Sequence, residues 1–258
     1  MDLNIKKRLF IVCGASAGFG RAVAEGLARE GAMVIAIARR EHLLHELSES
    51  FPGQVEYLAA DLCKDEYDDA LMEIIGSRTV SGLFINSGGP PPTHFLETTM
   101  QQWDDAYHSV LRWKVKMLKF FVPLMQKQKY GRVVLLESAS IKQPVGGLVL
   151  SNSYRMAVAG MIKTLSSEAG PDGITLNILA PGFHKTFAAE RVIEKRMKEE
   201  DKSREEILKQ LTDSIPVRAI GDAAELASLA VWLLSPLSSY VTGQTITVDG
   251  GRVKFSLG

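Results

Sequence analysis

Short apolar runs recur along this chain, each separated from the next by a stretch of helical periodicity, and that alternation constrains the fold more than any other feature. The runs are Leu9 to Cys13, Val34 to Ala38, Val55 to Ala60, Leu83 to Asn86, Val133 to Leu136, Thr175 to Leu179 and Thr245 to Val248. Rich in aliphatic and β-branched residues, they have the pattern of strands buried on both faces. Helical patterns fill the intervals, near Gly20 to Arg29, Glu41 to Ser50, Asp65 to Ile75, Trp103 to Gln128, Tyr154 to Ala169, Ala188 to Leu211 and Ala223 to Leu234. A strand, a helical crossover and a second strand in one sheet run parallel through a right-handed connection. Seven such strands therefore give one parallel sheet with helices on both faces, an α/β fold. No Pro/Gly/Ser-rich linker or repeat of fixed period divides the 258 residues, so one domain spanning 1–258 is expected.

Composition narrows the function classes. With 46% hydrophobic and 23% charged residues the chain is an ordinary globular sequence. Thirty basic and thirty acidic residues cancel, which removes a global electrostatic case for nucleic acid or an anionic membrane as partner. No apolar run approaches the roughly 18 residues of a bilayer span, and Met1 to Arg8 lacks the core of a secretion signal, so a cytoplasmic location is expected. Two cysteines, Cys13 and Cys63, make neither a disulfide framework nor a metal set.

The first strand runs into Gly14-Ala15-Ser16-Ala17-Gly18-Phe19-Gly20, which opens the first helix. Glycines there permit a tight turn and bring backbone N–H groups to a pyrophosphate at the positive end of that helix. At the end of the second strand, where a carboxylate would hold the hydroxyls of an adenosine ribose, stand Ala38, Arg39 and Arg40. Guanidinium groups pair with phosphate through a planar fork of donors, so NADP is expected over NAD. Asp61 and Leu62 follow the third strand, where the Asp61 carboxylate could accept from the adenine amino group. Asn86-Ser87-Gly88-Gly89, after the fourth, could pass under the same nucleotide.

Gly14-x-x-x-Gly18-x-Gly20, Asn86-Ser87-Gly88-Gly89, Asn177 with Pro181-Gly182, and Tyr240-Val241-Thr242-Gly243 to Val248-Asp249-Gly250-Gly251 together resemble the short-chain dehydrogenase/reductase family over essentially the whole chain. The resemblance implies a single Rossmann-type, doubly wound domain, a small-molecule substrate and a homodimer or homotetramer. It also implies that Pro181 to Thr186 contacts the nicotinamide, with Thr186 at its carboxamide. Substrate loops are expected at about 90–96, 143–152 and 183–212. The charge-rich Arg191 to Glu206 reads as a solvated helix face, with a lid over substrate as the other reading.

At the active site the pattern departs from the family. Family members carry an Asn, a Ser and a Tyr-x-x-x-Lys. Counted back without gaps from Pro181-Gly182, the tyrosine position falls on Ser151 and the lysine position on Arg155. Ser138 lies thirteen residues before Ser151, the family spacing, and the asparagine position falls on Val110. A register shifted by three makes Tyr154 the acid but puts Val158 where lysine belongs; Tyr154 could also lean into the same cleft from its place near Ser151.

Serine is a far weaker acid than tyrosine, and each pKa unit is worth about 1.4 kcal/mol of driving force, so Ser151 is a poor proton donor to a nascent alkoxide. Arg155 stays charged and cannot relay protons, but it can bind the ribose hydroxyls of the cofactor and hold an anion. Ser138, Ser151 and Arg155 would thus suit an oxyanion site for reduction of a carbon–carbon double bond conjugated with a carbonyl, in which an enolate oxygen gathers the charge and carbon takes its proton from water or Tyr154. Two other readings stand beside it: a carbonyl reductase or alcohol dehydrogenase that recruits Tyr154 or His184, and a nucleotide-binding protein without turnover. Lys114, one helical turn after Val110, is expected in solvent, though it could aim a cation into the cleft.

Overall fold

The computed structural model describes residues 1–64 and 66–255, without the side chains of Phe187, Ala188, Arg191 and Lys195. Seven strands, β1 (Leu9–Cys13), β2 (Met33–Ala38), β3 (Val55–Ala59), β4 (Val80–Asn86), β5 (Gly131–Leu136), β6 (Ile174–Pro181) and β7 (Thr245–Val248), form one sheet. Every pair is parallel, in the order β3-β2-β1-β4-β5-β6-β7. This is the doubly wound α/β architecture anticipated from the alternation.

Successive side chains of a strand point to opposite faces, and the core divides accordingly. Phe10 and Val12 of β1 join Phe84 and Val134 on one side, where α1 (Gly18–Arg29), α2 (Glu41–Ser50) and α9 (Ala223–Leu234) pack. Leu9, Ile11 and Cys13 join Leu83, Ile85 and Val133 on the other, under α3 (Asp68–Ile75), α5 (Trp113–Lys127) and α6 (Val149–Ala169). The start expected for the third helix, Asp65, lies outside the described residues. Helix α9 begins on a capping box: Asp222 accepts from the Ala224 N–H at 3.1 Å, and Glu225 accepts from the Asp222 N–H at 2.7 Å.

Two expected helices differ in detail. The stretch from Trp103 to Gln128 is α4 (Met100–Ala106), a π-helical turn over Tyr107–Arg112, and then α5. The stretch from Ala188 to Leu211 is two helices, α7 (Phe187–Glu200) and α8 (Arg204–Asp213). They separate because Asp201 takes a left-handed conformation (φ 48°) and Ser203, in a capping box with Glu206, starts a new helix. Ile193, Ile207 and Leu211 close a small satellite core between them.

The chain steps outward from β1 to β3 and then returns across the sheet to β4. That reversal opens a crevice beyond the C-terminal ends of β1 and β4, where ligands bind in such sheets. No helix among the described residues is long and apolar enough to cross a membrane.

Candidate active site

A cleft of about 760 Å³ occupies that crevice. Of the residues singled out in the sequence, Gly14, Ser16, Gly18, Phe19, Arg39, Asp61, Leu62, Asn86, Gly88, Arg155, Pro181 and Thr186 line it. Gly14 sits at φ 68°, and a Cβ there would lie 2.7 Å from Asn86 Nδ2, so only glycine brings the β1 and β4 loops this close. Gly20 and Gly182 lie behind the wall. A Cβ on Gly20 would come within 2.3 Å of the Gly14 carbonyl oxygen, and one on Gly182 within 2.6 Å of Asp249 Cβ.

Helix α1 starts at Gly18, two residues before the sequence periodicity begins. Its N-cap is Ala17, which offers no side-chain acceptor, so the N–H groups of the first turn keep their donors for a ligand. This donor set fits a pyrophosphate. Farther out, Arg40 donates to Ser16 Oγ from Nε (3.3 Å) and Nη2 (3.0 Å), tying the phosphate loop to the end of β2, with Arg39 beside it in the lining. Asp61 accepts from the Cys63 N–H at 3.1 Å, fixing the turn after β3. Thr186 caps α7 by accepting from the Ala189 N–H at 3.3 Å, and its Cγ2 lies 3.7 Å from where a Cβ on Gly18 would stand.

The other end of the cleft is charged and buried. Arg155, on α6 and 6% exposed, donates from Nε to Ser151 Oγ at 3.1 Å and from Nη1 to Glu137 Oε2 at 2.8 Å. Glu137 Oε1 accepts from Lys114 Nζ at 2.5 Å, and Lys114 is fully buried. Burial pushes the Lys114 pKa down; the Glu137 carboxylate draws it back up while the Arg155 charge lowers it further. The sequence reading placed Lys114 in solvent. Here it rises from a helix face otherwise made of buried Trp113, Met117, Leu118 and Phe121, and a carboxylate meets it at the end of β5. Glu137 escaped sequence reasoning altogether. Its signal was a lone acid directly after the all-apolar run Val133 to Leu136, a position that in a parallel sheet faces the ligand crevice.

Ser138 and Tyr154 make no described hydrogen bond to this cluster. Ser138 Oγ accepts from the Ser140 N–H at 3.2 Å, and no described hydrogen bond joins it to Ser151 or Arg155. Tyr154 packs against Trp103 (ring centroids 5.8 Å apart) and Tyr107 (6.2 Å) and is not part of the cleft lining. Its phenol is pushed above the usual value by burial, with Asp104 and Tyr107 adding to the rise. Val110 is buried within the π-helical turn. His184 is also buried, edge-on to Phe19 at 5.0 Å, and burial holds its pKa below the usual 6.5. Two of the expected substrate loops touch: the Thr93 N–H donates to the Gly147 carbonyl at 2.7 Å.

A family model described as enoyl-(acyl carrier protein) reductase matches residues 14–252. The chain belongs to the short-chain dehydrogenase/reductase family. Within this family it is 28% identical to the 3-oxoacyl-[acyl-carrier-protein] reductase FabG of Escherichia coli (strain K12), over 96% of this chain and 98% of that protein. It is 27% identical to the NADPH-dependent reductase BacG of Bacillus subtilis (strain 168), over 97% and 99% respectively. Among solved structures of short-chain dehydrogenase/reductases it superposes on L-sorbose reductase from Gluconobacter frateurii, complexed with NADPH and L-sorbose. The TM-score is 0.92, at 27% identity over 99% of this chain and 100% of that one.

Proposed function

We propose that this protein is an NADPH-dependent reductase whose substrate carries a carbon–carbon double bond conjugated with a carbonyl. The observation that carries the reading is the Arg155 guanidinium in the cleft wall, bonded to Ser151, with neither residue able to act as the phenol or amine of the family pattern. None of the six tyrosines has a lysine four residues on. NADPH as cofactor is supported by Arg39 and Arg40 at the outer end of the cleft, and by the NADPH-dependent relatives BacG and L-sorbose reductase.

The first turn of α1 would hold the pyrophosphate of NADPH, and Arg39 and Arg40 its 2′-phosphate; bound there, the cofactor would supply a hydride to the β-carbon of the substrate. Arg155 would then serve the carbonyl oxygen, with Ser151 accepting from its Nε. As the enolate forms, negative charge gathers there, and a fixed guanidinium in a desolvated wall holds it more strongly than water would. The α-carbon takes a proton from water, leaving the saturated carbonyl compound. Tyr154 has no part in this scheme, in keeping with its aromatic packing and raised pKa.

Carbonyl reduction is the second reading, favoured by the names of two relatives, a 3-oxoacyl reductase and L-sorbose reductase. NADPH consumption with matched panels of enones and saturated ketones separates the two. Under the first reading enones are reduced, and Tyr154→Phe retains more than half of kcat. Activity confined to saturated ketones and abolished by Tyr154→Phe would assign the acid to Tyr154. Firm nucleotide binding without turnover of either panel would support a non-catalytic role instead. Assembly into a homodimer or homotetramer belongs to the same proposal, supported by the exposed apolar side chains Phe120 and Leu124 of α5 and Met156 of α6.

A further inference from the structure

Three charged side chains converge beneath the cleft with almost no access to water. Lys114 and Glu137 are 0% and 4% exposed, and Arg155 is 6% exposed. Folding alone gives little reason for such a cluster, because buried ion pairs are often no better for stability than apolar side chains of the same volume. Its geometry gives a better one. The two oxygens of Glu137 are divided, Oε1 accepting from Lys114 and Oε2 from Arg155. The guanidinium is thus gripped on two edges, Nη1 by Glu137 and Nε by Ser151. Its remaining edge, Nη2, lies beside Gly89 in the cleft wall, where an added Cβ would stand 3.3 Å away.

We propose that Glu137 and Lys114 are a buried positioning pair: Lys114 anchors Glu137, and Glu137 holds the Arg155 guanidinium with its Nη2 edge turned toward the reacting oxygen. The inference rests on the reading that Arg155 serves that oxygen, and it is the same whether a conjugated double bond or a ketone is reduced. An unpinned arginine carries several rotatable bonds, and ordering it during the reaction would add to the barrier; the carboxylate orders it beforehand. The guanidinium itself stays charged, which complements an oxygen becoming negative.

The pair can be tested on the intact protein, without substrate first. In protein labelled with 15N-arginine, the Arg155 Nε–H resonance, assigned by its disappearance in Arg155→Lys, is expected to exchange slowly with solvent. Glu137→Gln and Lys114→Met should each speed that exchange at least tenfold, while thermal unfolding and NADPH binding report that the fold persists. Glu137→Asp, which keeps the charge and shortens the reach, is the fallback if Glu137→Gln does not fold. In turnover, Glu137→Gln should lower kcat at least tenfold and change KM less than threefold. Adding Lys114→Met to Glu137→Gln should cost little more, because Lys114 acts through that carboxylate. Guanidinium ion at low millimolar concentration should restore part of the activity of Arg155→Gly only while Glu137 is present. Unchanged Nε–H exchange and kcat in Glu137→Gln, or equal rescue without Glu137, overturns the positioning pair. Failure of the proposed function reads differently: enones are not reduced and Tyr154→Phe is inactive, while the exchange measurement still decides the pair.

Discussion

Arg40 lies between a strand and a helix, a place where a charged side chain ordinarily turns to solvent. Arg40 is exposed, yet it reaches back to Ser16, twenty-four residues earlier, and both line the cleft. A guanidinium held there meets a 2′-phosphate without first being ordered. Arg40→Gln should therefore weaken NADPH binding about 10- to 100-fold, the equivalent of one charge-assisted hydrogen bond, and leave NADH nearly unaffected. Fluorescence titration of both cofactors checks this; equal losses would show that Arg40 does not read the phosphate. His184 makes a residue-scale prediction of its own. Its buried ring has a pKa below 6.5, so the unfolded chain takes up a proton that the folded one resists. The contribution is complete above pH 6.5 and is lost as pH falls below that value. Urea midpoints measured from pH 7.5 to 5.5 should fall less steeply in His184→Gln than in the parent, and parallel slopes would refute the assignment.

At the scale of the element, the phosphate loop and α1 are one unit. Gly20 is the third glycine of the motif, and no side chain fits between it and the Gly14 carbonyl. Gly20→Ala should displace the loop from the helix, abolishing measurable NADPH binding and lowering the thermal midpoint by several degrees; retained binding would show that the loop can yield. The limits of sequence reading are also plainest here. Strand β4 begins at Val80 and not at Leu83, because Ser81 and Gly82 interrupt the apolar run although both sit in the sheet. Gly82 is required there, since a Cβ would come within 2.7 Å of the Arg132 carbonyl on β5. The π-helical turn before α5 was equally hidden: one wider turn leaves the composition of a helix unchanged, yet it resets which side chains of the next turns face the sheet.

For the whole molecule, the order of the strands sets where chemistry can occur, and the surface left uncovered sets how copies would meet. Static light scattering should give a mass at least twice that of one chain. Charged substitutions at Phe120 and Leu124 together should shift it toward the monomer, and a monomeric parent would refute the proposed assembly. The parallel sheet, its helices and the nucleotide loop were legible in the sequence because each depends on local periodicity or on glycines a few residues apart. The Lys114–Glu137–Arg155 cluster and the Arg40–Ser16 clip were not. The residues bonded to each other in them are 18 to 24 positions apart along the chain. Only the packing of α5 and α6 against β5, and of β2 beside β1, brings those charges within bonding distance. Periodicity decides which face of an element is buried; the fate of a polar group on that face depends on the partner that tertiary packing sets against it.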